Sequence, residues 1–365
     1  MASPSEGGDR LRKASMAVMA GVKVGTPKGT GKAGSRNNVR VGVRCRPLSK
    51  TELDLQQESI VQFTETSILL TNPNPAPSEH SEHILAFDHI YGLEATAVQV
   101  FEEMASPLVD ALFEGFNGTI LAYGQTGSGK THSMMGSKAD PGVIPRVAVD
   151  IFRRIGKLGT EVSATVTASY LQIYCEELQD LLADSKKDHA ATTRNLLTAH
   201  AQLKIRRDPQ RGTYVQGLKE RALTSSDELE HLIEQGNARR AVAATKMNAT
   251  SSRSHAVVLI NMEQNFAAHG TMGKRRISSK CYLVDLAGSE RASKTGAEGE
   301  TLKEAIAINQ SLSALGNVIN ALTDPKNKGH IPYRSSKLTH LLEESLGGNS
   351  KTARIPPTPP PSLPP

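Results

Sequence analysis

Tryptophan is absent from this sequence, and Phe and Tyr are so few that aromatic residues make up only 4% of it. A chain of 365 residues can bury a large core, and here that core must rest on Val, Leu, Ile and Ala. Such a composition suits a sheet buried between helices. Cysteine is also scarce. Cys45, Cys175 and Cys281 are odd in number and far apart, which excludes a disulfide framework and a CxxC metal site. Reduced cytosolic thiols are the expectation. No apolar run reaches the roughly 18 residues that span a bilayer. The N-terminus lacks the apolar stretch of a secretory signal, although its Arg and Ser content leaves an organelle transit peptide open.

Outside its N-terminal arm the chain has no charge bias. The net charge is +6, but residues 1–40 hold eight basic groups against Glu6 and Asp9, which leaves 35 of each sign in the remainder. That balance argues against a uniformly basic nucleic-acid-binding fold. Residues 1–37, rich in Gly, Ser, Ala and Lys without periodicity, read as a disordered basic arm. Within it RKAS (12–15) has the form of a basophilic kinase site.

The folded region starts at NVRVGVRCRP, where Val39, Val41 and Val43 alternate as in a strand that Pro47 ends. Short apolar runs predict further strands at 119–123 (TILAY), 166–174, 255–263 and 281–286 (CYLVDL). With helical patterns between them, these strands indicate a mixed α/β sheet protein. The clearest helix is predicted from Glu300 to Leu322. Leu302, Ile306, Asn309, Leu312, Leu315, Ile319 and Leu322 recur at steps of three and four, and Asp324 and Pro325 stop the run. One face is expected to be buried and the other free for a partner. Residues 183–202 read as a polar surface insertion.

The chemistry begins at GQTGSGKT, formed by Gly124, Gln125, Thr126, Gly127, Ser128, Gly129, Lys130 and Thr131. It satisfies GxxxxGK[ST] and directly follows a predicted strand, a placement that argues against a chance glycine-rich turn. The glycines let backbone N–H groups curl around phosphate oxygens. Lys130 can reach the outer phosphates, and the Thr131 hydroxyl can ligate Mg²⁺. NATSSRSH (248–255) follows, then DLAGSE (285–290) at a strand end. There Asp285 can hold Mg²⁺ through water and Gly288 can offer its N–H to a terminal phosphate. Separately these are a polar turn and a strand exit; together, and in this order, they outline a γ-phosphate sensor.

With RCRP (44–47), YGQTGSGKTH (123–132), SSRSH, LVDLAGSE, NQSLSALGNVINAL (309–322) and HIPYRSSKLT (330–339) in one order, the chain resembles a kinesin motor domain over about 38–352. Ser289 and the chain length favour this family over the myosins, whose second switch resembles DxxGFE. The resemblance implies a P-loop NTPase fold with a central mixed sheet flanked by helices, and ATP hydrolysis with Mg²⁺ coupled to microtubule binding in the cytoplasm. It also implies roles for individual residues. Adenine would lie near Arg44, Arg46 and Pro47, with His132 on its other side. Lys130 and Thr131 would serve phosphate and metal, Ser251 and Ser252 would close over the γ-phosphate and the metal, and Asp285 and Gly288 would read it from the opposite side. Arg253 and Glu290 would form an ion pair between the two switches when both close. A loop that moves with the γ-phosphate could then shift one end of the 300–322 helix.

Lys326, Lys328, His330, Arg334 and Lys337, together with 203–218, would face the acidic tubulin surface. Ser335 stands where the family commonly has Asp or Asn, and His340 where it has Arg, which weakens one cationic contact at neutral pH. The family continues past GGNSKT into an apolar strand and a helix. Here the continuation is ARIPPTPPPSLPP, so residues 353–365 read as a proline-rich tail and the last core strand and helix are expected to be missing. Two readings follow from that expectation: an ATPase motor domain, or a truncated microtubule binder that does not cycle. RIPPTPP (354–360) also fits an SH3 ligand.

Overall fold

The computed structural model describes residues 39–358 apart from 58, 73–74, 76–79, 184–202, 210, 248–251, 268–273, 291–299, 325, 328 and 348–349. The arm with its RKAS motif, nearly all of the polar insertion, Ser251 and Lys328 lie outside the described residues.

Fifteen strands are described. They are β1 Val39–Cys45, β2 Val61–Phe63, β3 Ser67–Thr71, β4 Glu82–Ala86, β5 His89–Tyr91, β6 Asn117–Ala122, β7 Val162–Tyr174, β8 Glu177–Asp180, β9 Lys204–Asp208, β10 Gly212–Gln216, β11 Arg221–Leu223, β12 His255–Phe266, β13 Arg275–Asp285, β14 Ser350–Ile355 and β15 Pro357–Thr358. The main helices are α1 Lys50–Asp54, α2 Ala97–Val100, α3 Ser106–Phe113, α4 Lys130–Met134, α5 Val143–Ile155, α6 Ser226–Met247 and α7 Glu300–Thr323. The central sheet runs β11-β7-β12-β13-β6-β14-β1-β15, with β5 added to β1 and β8 to β7. β6, β13, β14 and β1 pair in parallel, while β12 pairs antiparallel with β7 and β13. This is the mixed sheet expected from the alternation of strand and helix patterns.

Because successive side chains leave opposite faces of a strand, the sheet separates two cores. Ile120, Val258, Leu283, Ala353 and Ile355 pack on one side with α3, α5 and the first turns of α6. Leu121, Val257, Val284 and Leu286 pack on the other with α7 and the turns at 337–346. α7 starts at Glu300 and ends one residue past the predicted Leu322. Its buried stripe differs from the expectation in the first two turns, for Leu312, Leu315 and Ile319 are buried whereas Leu302 and Ile306 are exposed. In those turns the helix meets the sheet through Glu304, which accepts from the Tyr174 hydroxyl at the end of β7.

The expectation that the last core strand is missing is overturned. Residues 350–355 form β14 between β6 and β1, registered Thr352 to Thr119 and Val39 to Thr352. All six residues from Ser350 to Ile355 keep an N–H to donate, and the first proline comes only at 356. Proline loses its donor but keeps its carbonyl. The Ile355 carbonyl accepts from Tyr123 N at 3.2 Å, and the Pro356 carbonyl accepts from Arg44 N at 3.2 Å. Pro356 thus serves β1 as an acceptor instead of breaking the sheet. Among the described residues no helix follows β14. The same strand disposes of the SH3 reading, because Arg354 and Ile355, the first two residues of that motif, are buried in the sheet.

Candidate functional site

β6 delivers the chain to the P-loop beside the C-terminal end of β13, the edge at which parallel α/β sheets bind ligands. Gly127 and Gly129 sit at φ of +77° and +99°, the left-handed region that costs glycine least. Gly129 also precedes the first turn of α4, which opens on Lys130 and Thr131. A side chain at Gly124 would meet the Pro357 carbonyl and Ser128 Oγ at 2.6 Å each, so the proline segment lies directly against the phosphate loop.

The Lys130 ammonium is largely buried and donates to the carbonyls of Gly124 and Gln125, both at 2.8 Å. Burial lowers its pKa, opposed by the charges of Asp285 and Glu290. Thr131 Oγ1 donates to Asp285 Oδ2 at 2.6 Å, and the other carboxylate oxygen of Asp285 is buried without a hydrogen-bond partner. Burial raises the Asp285 pKa, opposed by the Thr131 hydroxyl and by Arg240 and Lys130. Ser128 Oγ is likewise buried without a partner. A buried polar atom left unpaired is costly, so these two oxygens mark a place where hydrogen-bonding or metal-binding capacity is held in reserve.

The two switch segments meet at the P-loop. Gly288 N donates to the Ser252 carbonyl at 2.8 Å and Ser289 N to the Gly124 carbonyl at 3.1 Å. Glu290 Oε2 accepts from Thr126 N at 2.9 Å, and Glu290 Oε1 accepts from the Thr126 hydroxyl. These contacts hold its pKa down despite the opposing effect of burial. The expected Arg253–Glu290 pair is not formed. Arg253 instead donates to Glu304 Oε2 on α7 at 2.7 Å, because each member of the expected pair has a nearer partner.

Arg44 reaches Ser133 Oγ at 3.2 Å, and Arg46 donates to the Gly127 carbonyl at 2.8 Å while gripping Glu52 in a fork of 2.7 and 2.8 Å. Arg46 holds the Glu52 pKa down to about 2. β1, Pro47 and the exposed His132 therefore border one edge of the P-loop.

Two residues with site contacts were not singled out from the sequence. Arg240 on α6 is buried, with Nη1 3.8 Å from Asp285 Oδ2 and Nη2 donating to the Ser254 carbonyl at 2.9 Å. No local pattern marks it. His255, the last residue of SSRSH, accepts from Ala287 N on Nδ1 at 3.0 Å. Its proton therefore sits on Nε2, which meets Ser311 Oγ on α7 at 2.8 Å. One neutral imidazole so ties both switches to α7, and burial drives its pKa down to about 3.

On the α7 side, Lys326, His330, Arg334 and Lys337 are exposed. The β9–β10 hairpin packs through Ile205 and Val215 into the core that holds Leu338 and Leu341. The two basic segments are thereby brought to one layer of the molecule. His340 has its pKa lowered by burial, opposed by Glu343 and assisted by Arg334 and Lys337.

The profile of the kinesin motor domain matches residues 44–360. Kinesin-related protein 7 of Dictyostelium discoideum is 44% identical over 324 residues, which cover 87% of this chain and 24% of that protein. The kinesin heavy chain of Neurospora crassa is 40% identical over 88% of this chain and 32% of its own length. The chain thus spans about a quarter to a third of the curated relatives it matches. Among solved structures, a fast kinesin superposes with a TM-score of 0.77 at 39% identity, over 90% of this chain and 87% of that one. A microtubule complex of KIF14 with ADP superposes at 0.76 and 38% identity, over 88% and 89%. A P-loop strand flanked by β13 and β14, two switches joined at Gly288, and similarity along nearly the whole described chain place this protein in the kinesin family, with a kinesin motor domain as its fold.

Proposed function

We propose that the chain is an ATP-hydrolysing motor domain that binds microtubules, working in the cytoplasm on the cytoskeleton. The observation that carries this reading is the junction of Thr131 with Asp285, next to a partnerless Asp285 oxygen, at the mouth of a P-loop whose lysine is held by its own carbonyls. The backbone from Gly124 to Gly129 would wrap the phosphates, with Lys130 shifting from the Gly124 and Gln125 carbonyls to the outer phosphate oxygens. Arg44, Arg46, Pro47 and His132 border the side where adenine would lie.

The oxygen donors present suit a magnesium ion, for Thr131, Ser252 and Asp285 offer hydroxyl and carboxylate groups to a hard cation. Bound there with ATP, the ion would neutralise charge on the phosphates. The protein's own share is positioning: Gly288 and Ser252 bring the switches together, and Ser251, Arg253 and Glu290 complete the enclosure when both close. No strong base is required, because phosphoryl transfer is catalysed mainly by alignment and electrostatics.

Similarity to proteins solved on microtubules, together with the exposed basic layer beside α7, supports a microtubule partner. The non-cycling reading rested on a missing core strand, and β14 removes that support. Phosphate release by the purified 365-residue chain tests the proposal. Turnover that rises with added microtubules is expected, and binding to microtubules without turnover would instead establish the non-cycling form.

A further inference from the structure

Pro356 and Pro357 leave β14 and run between β1 and the phosphate loop. The Pro356 carbonyl accepts from Arg44 N at 3.2 Å, and one residue earlier the Ile355 carbonyl accepts from Tyr123 N at 3.2 Å. Pro357 pairs in parallel with Arg44 and is buried. Each proline ring fixes its own φ, and the second confines the first to extended backbone. The two residues are therefore a stiff strip, held to the sheet by hydrogen bonds from β1 and from the end of β6.

The strip backs the first glycine of the loop. A Cβ built on Gly124 would lie 2.6 Å from the Pro357 carbonyl oxygen and 2.6 Å from Ser128 Oγ, so the two oxygens face the same point beside that glycine. The Gly124 carbonyl accepts from Lys130 Nζ at 2.8 Å and from Ser289 N at 3.1 Å. One peptide group thus meets the phosphate lysine and the second switch, and Pro357 stands behind it. At the other end of the loop, Pro357 Cβ lies 4.0 Å from where a Cβ on Gly129 would be. Ser128 Oγ is buried without a hydrogen-bond partner, a costly state for a hydroxyl. Pro357 presents a carbonyl and has no N–H, so it accepts from the loop and cannot compete with it for phosphate oxygens.

We infer that Pro357 is a positioning residue for the phosphate loop, and that its carbonyl takes the Ser128 hydroxyl when the loop closes on a bound nucleotide. The pairing relieves the orphaned hydroxyl in the closed loop and slows its reopening. The inference rests on the nucleotide-binding reading above and adds to it a rigid wall supplied by a segment distant in sequence.

The test uses the purified full chain loaded with fluorescent ADP and magnesium, and reads the release rate on adding excess unlabelled ADP. Pro357→Gly keeps the carbonyl and frees the backbone, and it is expected to speed release about fivefold. Ser128→Ala removes the hydroxyl and keeps the backbone N–H groups, and it is expected to speed release about two- to fivefold. Pro357→Ala, with less backbone freedom than glycine, is expected to fall between wild type and Pro357→Gly. The double variant of Ser128→Ala and Pro357→Gly is expected to match Pro357→Gly alone, because both changes break one pairing. Should Pro357→Gly fail to fold, Pro357→Ala closes the same cycle. A merely structural role for Pro357 would lower the melting temperature with release unchanged. Unchanged release in the folded single variants, or effects that simply add in the double variant, overturns the inference.

Amide hydrogen exchange across 124–129 in the nucleotide-free chain supplies a second readout, and faster exchange in Pro357→Gly is expected. If the wild type holds no nucleotide, the ATPase reading fails by itself, and the pairing with Ser128 in a closed loop fails with it. Unchanged exchange in that case removes the wall as well.

Discussion

Thr131 and Asp285, 154 residues apart in sequence, are joined by a hydrogen bond of 2.6 Å from hydroxyl to carboxylate. The bond ties the first turn of the P-loop helix to the end of β13. It also leaves the other Asp285 oxygen buried without a hydrogen-bond partner, beside the phosphate loop on which the proposed function rests. Asp285→Asn keeps the shape and an acceptor for Thr131 but removes the charge. It is expected to lower kcat by about 10²–10³-fold and to raise the magnesium concentration needed for half-maximal rate. Phosphate release across a magnesium titration checks this, and a melting curve separates lost chemistry from lost fold.

Glu290 accepts twice from Thr126 and belongs to the proposed closed enclosure. Glu290→Ala is expected to leave nucleotide affinity within about threefold while cutting hydrolysis by about 10²-fold or more, since the interaction it removes matters in the transition state. Equilibrium binding of a fluorescent nucleotide beside steady-state turnover makes the distinction. Normal turnover in this variant would falsify the assignment.

His255 is buried as a neutral imidazole with its pKa lowered from 6.5 to about 3. The unfolded chain takes up the proton as pH drops below 6.5 while the folded chain does not. The stability this group contributes is therefore full above pH 6.5 and is lost as pH falls toward 3, with a slope approaching about 1.4 kcal/mol per pH unit. His255→Gln is expected to cost about 1–3 kcal/mol at pH 7.5 by disturbing the bonds to Ala287 and Ser311. The same variant should lose less on acidification. Urea unfolding of both proteins at several values between pH 7.5 and 4.5 gives the two slopes, and identical slopes would show that His255 does not carry the effect.

Arg354 lies fully inside the sheet, beside Leu121, Leu286 and Leu315 around a cavity of about 20 Å³. Burial pushes its pKa down to about 10, with the Tyr123 charge opposing. At pH 7 it remains charged, and the desolvation of that charge works against folding. Arg354→Met, of similar reach and without charge, removes that cost together with the guanidinium's own contacts, so a gain in stability is expected only where the desolvation is the larger of the two. Thermal and urea unfolding measure it, and a clear loss of stability would show that the guanidinium's contacts outweigh its burial.

The proline-rich end shows where reading the chain in order misleads. A run of prolines excludes strand donors at those positions, and that argument is sound for 356 and 357. It does not reach back to Ser350–Ile355, where every N–H is present. Val39, Val41 and Val43, the strand at 281–286 and the helix from Glu300 were all legible, because period and apolar content report burial one residue at a time. Arg240 carried no such signal, since its contact is with an aspartate 45 positions away that only packing brings near it.

GQTGSGKT, SSRSH, DLAGSE and the α7 periodicity are contiguous runs, and their chemistry follows from backbone geometry and residue type over a few positions. The family and the P-loop site were therefore readable without coordinates. Partner choice was not. Arg253 had acids 37 and 51 positions away, and only the placement of α7 against the end of β7 gives it to Glu304. The place of Ser350–Ile355 between β6 and β1 likewise depends on the backbone groups that those two strands present. Hydrogen bonds between distant segments are set by the packing of whole elements, a property of the assembled fold and not of any stretch of the chain.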